Sequence, residues 1–95
     1  MLHSSLLTQL DEVARCGSIR GASDVLHVSA SSINRRLILL EEEIGMPLFH
    51  RQATGMRLTA AGELVIAHIR QTLREHERLR HSLRELRGTN GLRVR

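Results

Sequence analysis

The 95-residue chain contains no lysine, tryptophan or tyrosine, and only one proline, one cysteine and one aromatic residue, Pro47, Cys16 and Phe49. A lone cysteine excludes an internal disulfide and agrees with a reducing compartment; Cys16 reads as a small buried hydrophobe rather than a redox sensor. With one phenylalanine, the core must be built from Leu, Ile, Val and Ala, which points to a mainly helical fold, and a modest one at this length. No apolar run is long enough to cross a bilayer, and the N-terminus lacks a basic segment followed by an apolar signal core, so a cytoplasmic protein without a membrane role is expected. The histidines His3, His27, His50, His68, His76 and His81 never recur at a spacing of three or four, so no metal site is expected. Without a Ser/His/Asp constellation, a phosphate-cradling glycine loop or paired carboxylates in an apolar setting, neither an enzyme nor a cofactor is expected.

Charge is unevenly placed. In residues 1–60 six arginines meet six acids, whereas residues 61–95 hold eight arginines and four acids, so the whole net charge of +4 belongs to the C-terminal third. Net charge therefore says little about specific nucleic-acid binding, which must be argued from the face on which individual arginines stand.

What the chain does have is a pair of short helical patterns joined by a tight turn, in residues 18–37. Ser18 is placed to cap the first, which carries Ile19, Ala22 and Leu26 on one side. Ser29 is placed to cap the second, where Ile33, Leu37, Leu40 and Ile44 recur at a 4-3-4 spacing and form a buried stripe. Ser31, Asn34 and Arg35 then fall on the opposite side. Short polar side chains with an arginine suit a helix lying in a major groove, because they allow close approach and supply donors and acceptors to base edges and phosphates.

Before this unit, a helix is expected from about Ser4 or Ser5 to Arg15, with Leu6, Leu7, Leu10, Val13 and Ala14 inward, Asp11 and Glu12 in solvent, and Gly17 closing it. After it, Gly45-Met46-Pro47 stops the second helix. Leu48-Phe49-His50-Arg51 and Met56-Arg57-Leu58-Thr59 flank Gln52-Ala53-Thr54-Gly55 as a small hairpin, which must lean Leu48, Phe49 and Leu58 on the helices to be stable. Thr59 caps a long final helix ending near Arg87. Val65, Ile66, Ile69, Leu73, His76, Leu79, Leu83 and Leu86 form a stripe along it that reads as a helix-pairing, dimer-forming seam. Glu75 with Arg78 and Glu77 with Arg80 are surface neighbours outside the seam. The expected organisation is a winged helix-turn-helix over 1–59, a linker and dimerisation helix over 60–88, and a tail over 89–95.

The ordered set Gly17-Ser18-Ile19, Ala22, Leu26-His27-Val28-Ser29, Arg35, Leu40-Glu41-Glu42-Glu43-Ile44-Gly45, Pro47-Leu48-Phe49, Arg51 and Leu58-Thr59-Ala60-Ala61-Gly62 resembles the DNA-binding part of LysR-type transcriptional regulators. The resemblance implies a winged helix-turn-helix followed by a linker helix that pairs, usually antiparallel, with its copy. It also implies a separate effector-sensing domain, whose first strand Leu92-Arg93-Val94-Arg95 resembles; an effector small molecule is expected only with that domain, and tetramers only in a full-length protein. The chain departs from the family pattern at Ala30 and Ser31, where a glutamine and often a proline stand, and at Asn34, which replaces a serine. It departs also at Arg20-Gly21 and at Ile38-Leu39, where polar residues are usual.

The residues expected at DNA are Ser18, Arg20, Ser29, Ala30, Ser31, Ser32, Asn34 and Arg35, with Arg51, Thr54 and Arg57 of the wing on flanking backbone or minor groove. Asn34 could bond an adenine bidentately. Ser31 and Ser32 could touch phosphate or only cap the helix, and Arg51 could instead pair with Glu43. The partner expected is double-stranded DNA carrying an inverted repeat, bound by a homodimer. A protein-interaction adaptor that does not read DNA is the rival, supported by the neutral first sixty residues and by surplus apolar surface at Ile38 and Leu39.

Overall fold

A computed structural model describes residues 4–93, with side-chain surroundings over 5–88. Three helices, α1 (Ser4–Cys16), α2 (Ile19–Leu26) and α3 (Ala30–Ile44), are followed by strands β1 (Phe49–Gln52) and β2 (Gly55–Leu58) and by a long helix α4 (Ala60–Arg93). The architecture is the mainly helical winged helix-turn-helix that the sequence pattern predicts.

Local chemistry sets most element ends. Ser18 Oγ accepts from the Gly21 N–H at 2.8 Å, Ser29 Oγ from the Ser32 N–H at 3.1 Å, and Thr59 Oγ1 from the Gly62 N–H at 2.9 Å. Each satisfies a first-turn amide that the helix itself leaves unpaired. Gly17 (φ 75°) follows α1 and Gly45 (φ 84°) closes α3, both in the left-handed region. Between α2 and α3 the same conformation falls on His27, at φ 57°, whose N–H bonds the Ser23 carbonyl. A non-glycine residue there costs more than glycine would, yet it makes the turn tight enough to set α3 against α2.

The core gathers Leu10 and Val13 of α1, Ala22 of α2, Ile33 and Leu37 of α3, Leu48 and Phe49 at the start of the hairpin, and Ile66 and Ile69 of α4. The expected stripe of α3 is buried only at its first two members: Leu40 is half-buried and Ile44 is 39% exposed, because the last turn of α3 runs beyond the elements that cover it. Two further expectations are corrected here. Asp11 is buried at 7% exposure, held by Arg15 and Arg70, since α4 packs over the side of α1 that the sequence leaves to solvent; Glu12 beside it is half-buried. Cys16, the last residue of α1, is exposed rather than buried, although Gly21 of α2 lies close to its Cβ.

The strands pair antiparallel in the register Phe49 to Leu58, His50 to Arg57, Arg51 to Met56 and Gln52 to Gly55. A two-stranded hairpin is marginal alone, and this one is fastened at both ends. The Met56 N–H donates to the Gly17 carbonyl at 2.8 Å and the Thr59 N–H to the Leu48 carbonyl at 3.0 Å. Thr59 Oγ1 also donates to the Pro47 carbonyl at 2.8 Å, and the Leu48 N–H donates to Glu41 Oε2 at 2.7 Å.

Helix α4 runs 34 residues, about 50 Å at 1.5 Å per residue, and dominates the 58 Å long axis of the molecule. It continues through Gly88 to Arg93 instead of ending near Arg87. Residues 89–93 are therefore helical rather than the start of a strand, while Val94 and Arg95 lie outside the described residues, as does His3. No other described element competes for these backbone groups, so the i to i−4 bonds persist despite a cost of about 1 kcal/mol per interior glycine.

Candidate nucleic-acid interface

Helix α3 is buried on one side and open on the other. Ile33 and Leu37 have no exposure. Ser31 and Arg35 are exposed on the side turned away from them, Ala30 is exposed at the helix start, and Ser32 is half-buried. Ser29 Oγ lies 3.1 Å from Ser31 Oγ, so one of the two hydroxyls donates to the other at the helix start. Arg36, a quarter-turn from Arg35, donates instead to Gln9 Oε1 of α1 at 3.0 Å. Of the two adjacent arginines, Arg35 stands without a protein partner among the described residues.

Asn34 is placed less openly than its spacing implies. It is half-buried, and its Oδ1 is buried without a hydrogen-bond partner. Bidentate adenine recognition uses the amide oxygen and nitrogen together, and in this conformation the oxygen is closed to a partner. Helix α2 contributes exposed Arg20 and, at its cap, Ser18, whose Oγ is engaged with Gly21. A Cβ on Gly21 would lie 2.8 Å from that Oγ and 3.0 Å from the Cys16 Cβ, which accounts for a glycine beside the cap.

The hairpin separates its arginines. Paired residues of an antiparallel ladder share a face and neighbours alternate, so Arg57 stands beside His50 while Arg51 stands beside Met56. Both arginines and His50 are exposed, and Thr54 sits exposed in the turn. No ion pair joins Arg51 to Glu43 among the described residues.

The long stripe of α4 is divided by packing. Ile66 and Ile69 are 2% and 3% exposed inside the chain's own core, and Val65 and Leu73 pack against it. Ile66 and Ile69 are thus taken up by the domain and are not available as a free seam, which corrects the expectation for them, while Val65 and Leu73 are half-buried. His76 is half-buried, with Nδ1 buried and unpartnered. Leu79, Leu83 and Leu86 stand 43%, 50% and 57% exposed. Glu77 lies 3.9 Å from Arg80 and 3.5 Å from Arg84, exposed pairs that contribute little.

Residues 5–63 match the bacterial regulatory helix-turn-helix protein family of lysR type. The chain belongs to that family. It is similar to the transcriptional activator IlvY of Salmonella typhimurium, 43% identical over 58 residues that cover 61% of this chain and 20% of that protein. It is also similar to the regulator YofA of Bacillus subtilis, 37% identical over 90 residues covering 95% of this chain and 32% of YofA. The chain thus spans between a fifth and a third of the length of these curated relatives. Its fold superposes on the crystal structure of a CbnR_DBD–DNA complex with a TM-score of 0.80 and 31% identity, over 88% of this chain and 97% of that one. These LysR-type relatives are transcriptional regulators. Among the described residues no helix is long and apolar enough to cross a membrane.

Proposed function

We propose that this chain is the DNA-reading part of a bacterial transcription regulator, binding double-stranded DNA sequence-specifically with α3 in the major groove and the hairpin on the flanking backbone or minor groove. The observation that carries the proposal is the outward side of α3, where Ser31 and Arg35 stand exposed opposite the buried Ile33 and Leu37. A groove-reading helix needs an anchored back and a polar, close-fitting front. Ser18, Arg20, Ser29, Ala30 and Ser32 lie around that front, and the half-buried Asn34 contributes its amide. Arg51, Thr54 and Arg57 hold the flanks.

The chain works as a homodimer through the distal part of α4, where Leu79, Leu83 and Leu86 are exposed at the 4-3 spacing of a pairing helix. Two copies then read an inverted repeat whose halves lie about one helical turn, or a multiple, apart. In a longer protein, tetramers and an effector-binding domain follow from the family; the work is regulation in the cytoplasm and not catalysis.

Selection from a random duplex-DNA pool at near-physiological salt tests this reading. A two-fold symmetric motif of fixed spacing is expected. A folded, dimeric protein that enriches no sequence overturns it in favour of the adaptor reading, which the exposed Ile38 and Leu39 favour.

A further inference from the structure

We propose that Ile38 reads a thymine in the major groove through its 5-methyl group, an assignment that rests on the DNA-reading role of α3. Ser31, Arg35, Ile38 and Glu42 recur at the same 4-3-4 spacing as the inward stripe Ile33, Leu37, Leu40 and Ile44, about half a turn round the helix. They therefore form one outward ridge, and all four are exposed, Ile38 by 40%. An isoleucine in the middle of that ridge has no core to serve.

Three observations say what it meets. First, Ile38 lies seven residues beyond Ser31, about 10 Å along the axis, still inside a groove about 12 Å wide. Second, α3 has no cation after Arg36; Glu41, Glu42 and Glu43 follow, and Glu41 is tied to the Leu48 N–H. The later turns of α3 hence carry no cation to grip phosphate, and the contact Ile38 can offer is apolar. Third, the thymine methyl is the apolar group that base edges offer in the major groove. Branching at Cβ holds Ile38 in one preferred rotamer on a helix, which fixes where its methyl groups stand. Met46 and Pro47 line a shallow depression together with it. Leu39, though more exposed at 57%, occupies the other flank of Arg35, next to Arg36, whose guanidinium is engaged with α1.

The test uses the 95-residue chain and its selected duplex, replacing each thymine in turn by deoxyuridine, which removes only the methyl group. For the wild type, one position per half-site should lose about four-fold in affinity, the effect of one buried methyl group. Ile38→Ala should bind the thymine and deoxyuridine duplexes equally, with an unchanged melting temperature, while Leu39→Ala keeps the four-fold difference. A selected site in which no thymine is methyl-sensitive overturns the assignment and leaves DNA reading intact. Methyl sensitivity that survives Ile38→Ala, or vanishes in Leu39→Ala, overturns it too, by moving the contact to another residue. Failure to enrich any sequence overturns this assignment together with the DNA-reading role.

Discussion

Arg70 donates from Nε to Asp11 Oδ1 at 2.6 Å, joining α4 to α1 across 59 residues of sequence. Arg15 donates to Oδ2 of the same carboxylate at 3.1 Å. The carboxylate is thus gripped from its own helix and from the arm that leaves the domain, and the pair helps set the angle at which α4 departs. Burial pushes the Asp11 carboxyl up, but the hydrogen bonds and charges of Arg70 and Arg15 outweigh it and hold the group below the ordinary carboxylate range.

A depressed folded pKa stabilises the fold above the unfolded value, about 3.9 for Asp, and that contribution is lost as pH falls through the lower folded value. Asp11→Asn should therefore lower stability at pH 7 by about 1–3 kcal/mol and flatten the loss of stability below pH ~4. Thermal melts of both proteins across that range check it; parallel curves would remove Asp11 from the acid response.

Gly62 is the tightest joint in the chain, since a Cβ there would fall 2.0 Å from the Leu48 carbonyl oxygen. The obstacle is backbone, and the Thr59 N–H donates to that same carbonyl, so neither side can yield without releasing the hairpin. Gly62→Ala should cost about 3 kcal/mol or more, measured by denaturant unfolding. A loss below 1 kcal/mol would mean that the hairpin shifts freely.

Arg35→Ala should lower affinity for the selected site by about 1–3 kcal/mol and relax sequence choice. Arg57→Ala should weaken binding to all sequences alike and reduce the salt slope by roughly one unit. Titrations at several salt concentrations distinguish them; uniform weakening by Arg35→Ala would assign that residue to phosphate.

The Cys16 thiol donates to Glu12 Oε2 at 3.2 Å. That bond, with partial desolvation and the carboxylate charge, pushes the thiol above its ordinary pKa, so exposure alone does not make it reactive. Alkylation near pH 8 should be slow and should rise roughly two-fold or more in Glu12→Gln. Equal rates would show that Glu12 does not control the thiol.

Ile69 and Leu83 lie on one stripe but face different covers, 3% and 50% exposed. Ile69→Ala should destabilise the domain by about 2–5 kcal/mol. Leu83→Ala should leave the domain folded and shift the dimer toward monomer in sedimentation. Dimerisation unaffected by Leu83→Ala, or lost in Ile69→Ala at unchanged stability, would contradict that division.

The sequence by itself determined the features that depend on near neighbours. Ser18, Ser29 and Thr59 cap their helices because the amide each satisfies lies three residues on. Gly17 and Gly45 end theirs because few other residues adopt a positive φ cheaply, and the two strands fall where short apolar runs flank a turn. The outward place of Ser31 and Arg35 follows from helical period alone.

Only the tertiary structure decided what covers each apolar or polar side. Period tells that α4 has a stripe, but burial of Ile66 and Ile69 in the core divides it from the exposed Leu79, Leu83 and Leu86. Asp11 is held by Arg70, distant in sequence, whereas Cys16 at the end of the same helix stays exposed. The half-buried Asn34 amide likewise depends on how elements are set against one another. These are contacts between residues far apart in the chain, and no local pattern encodes their geometry.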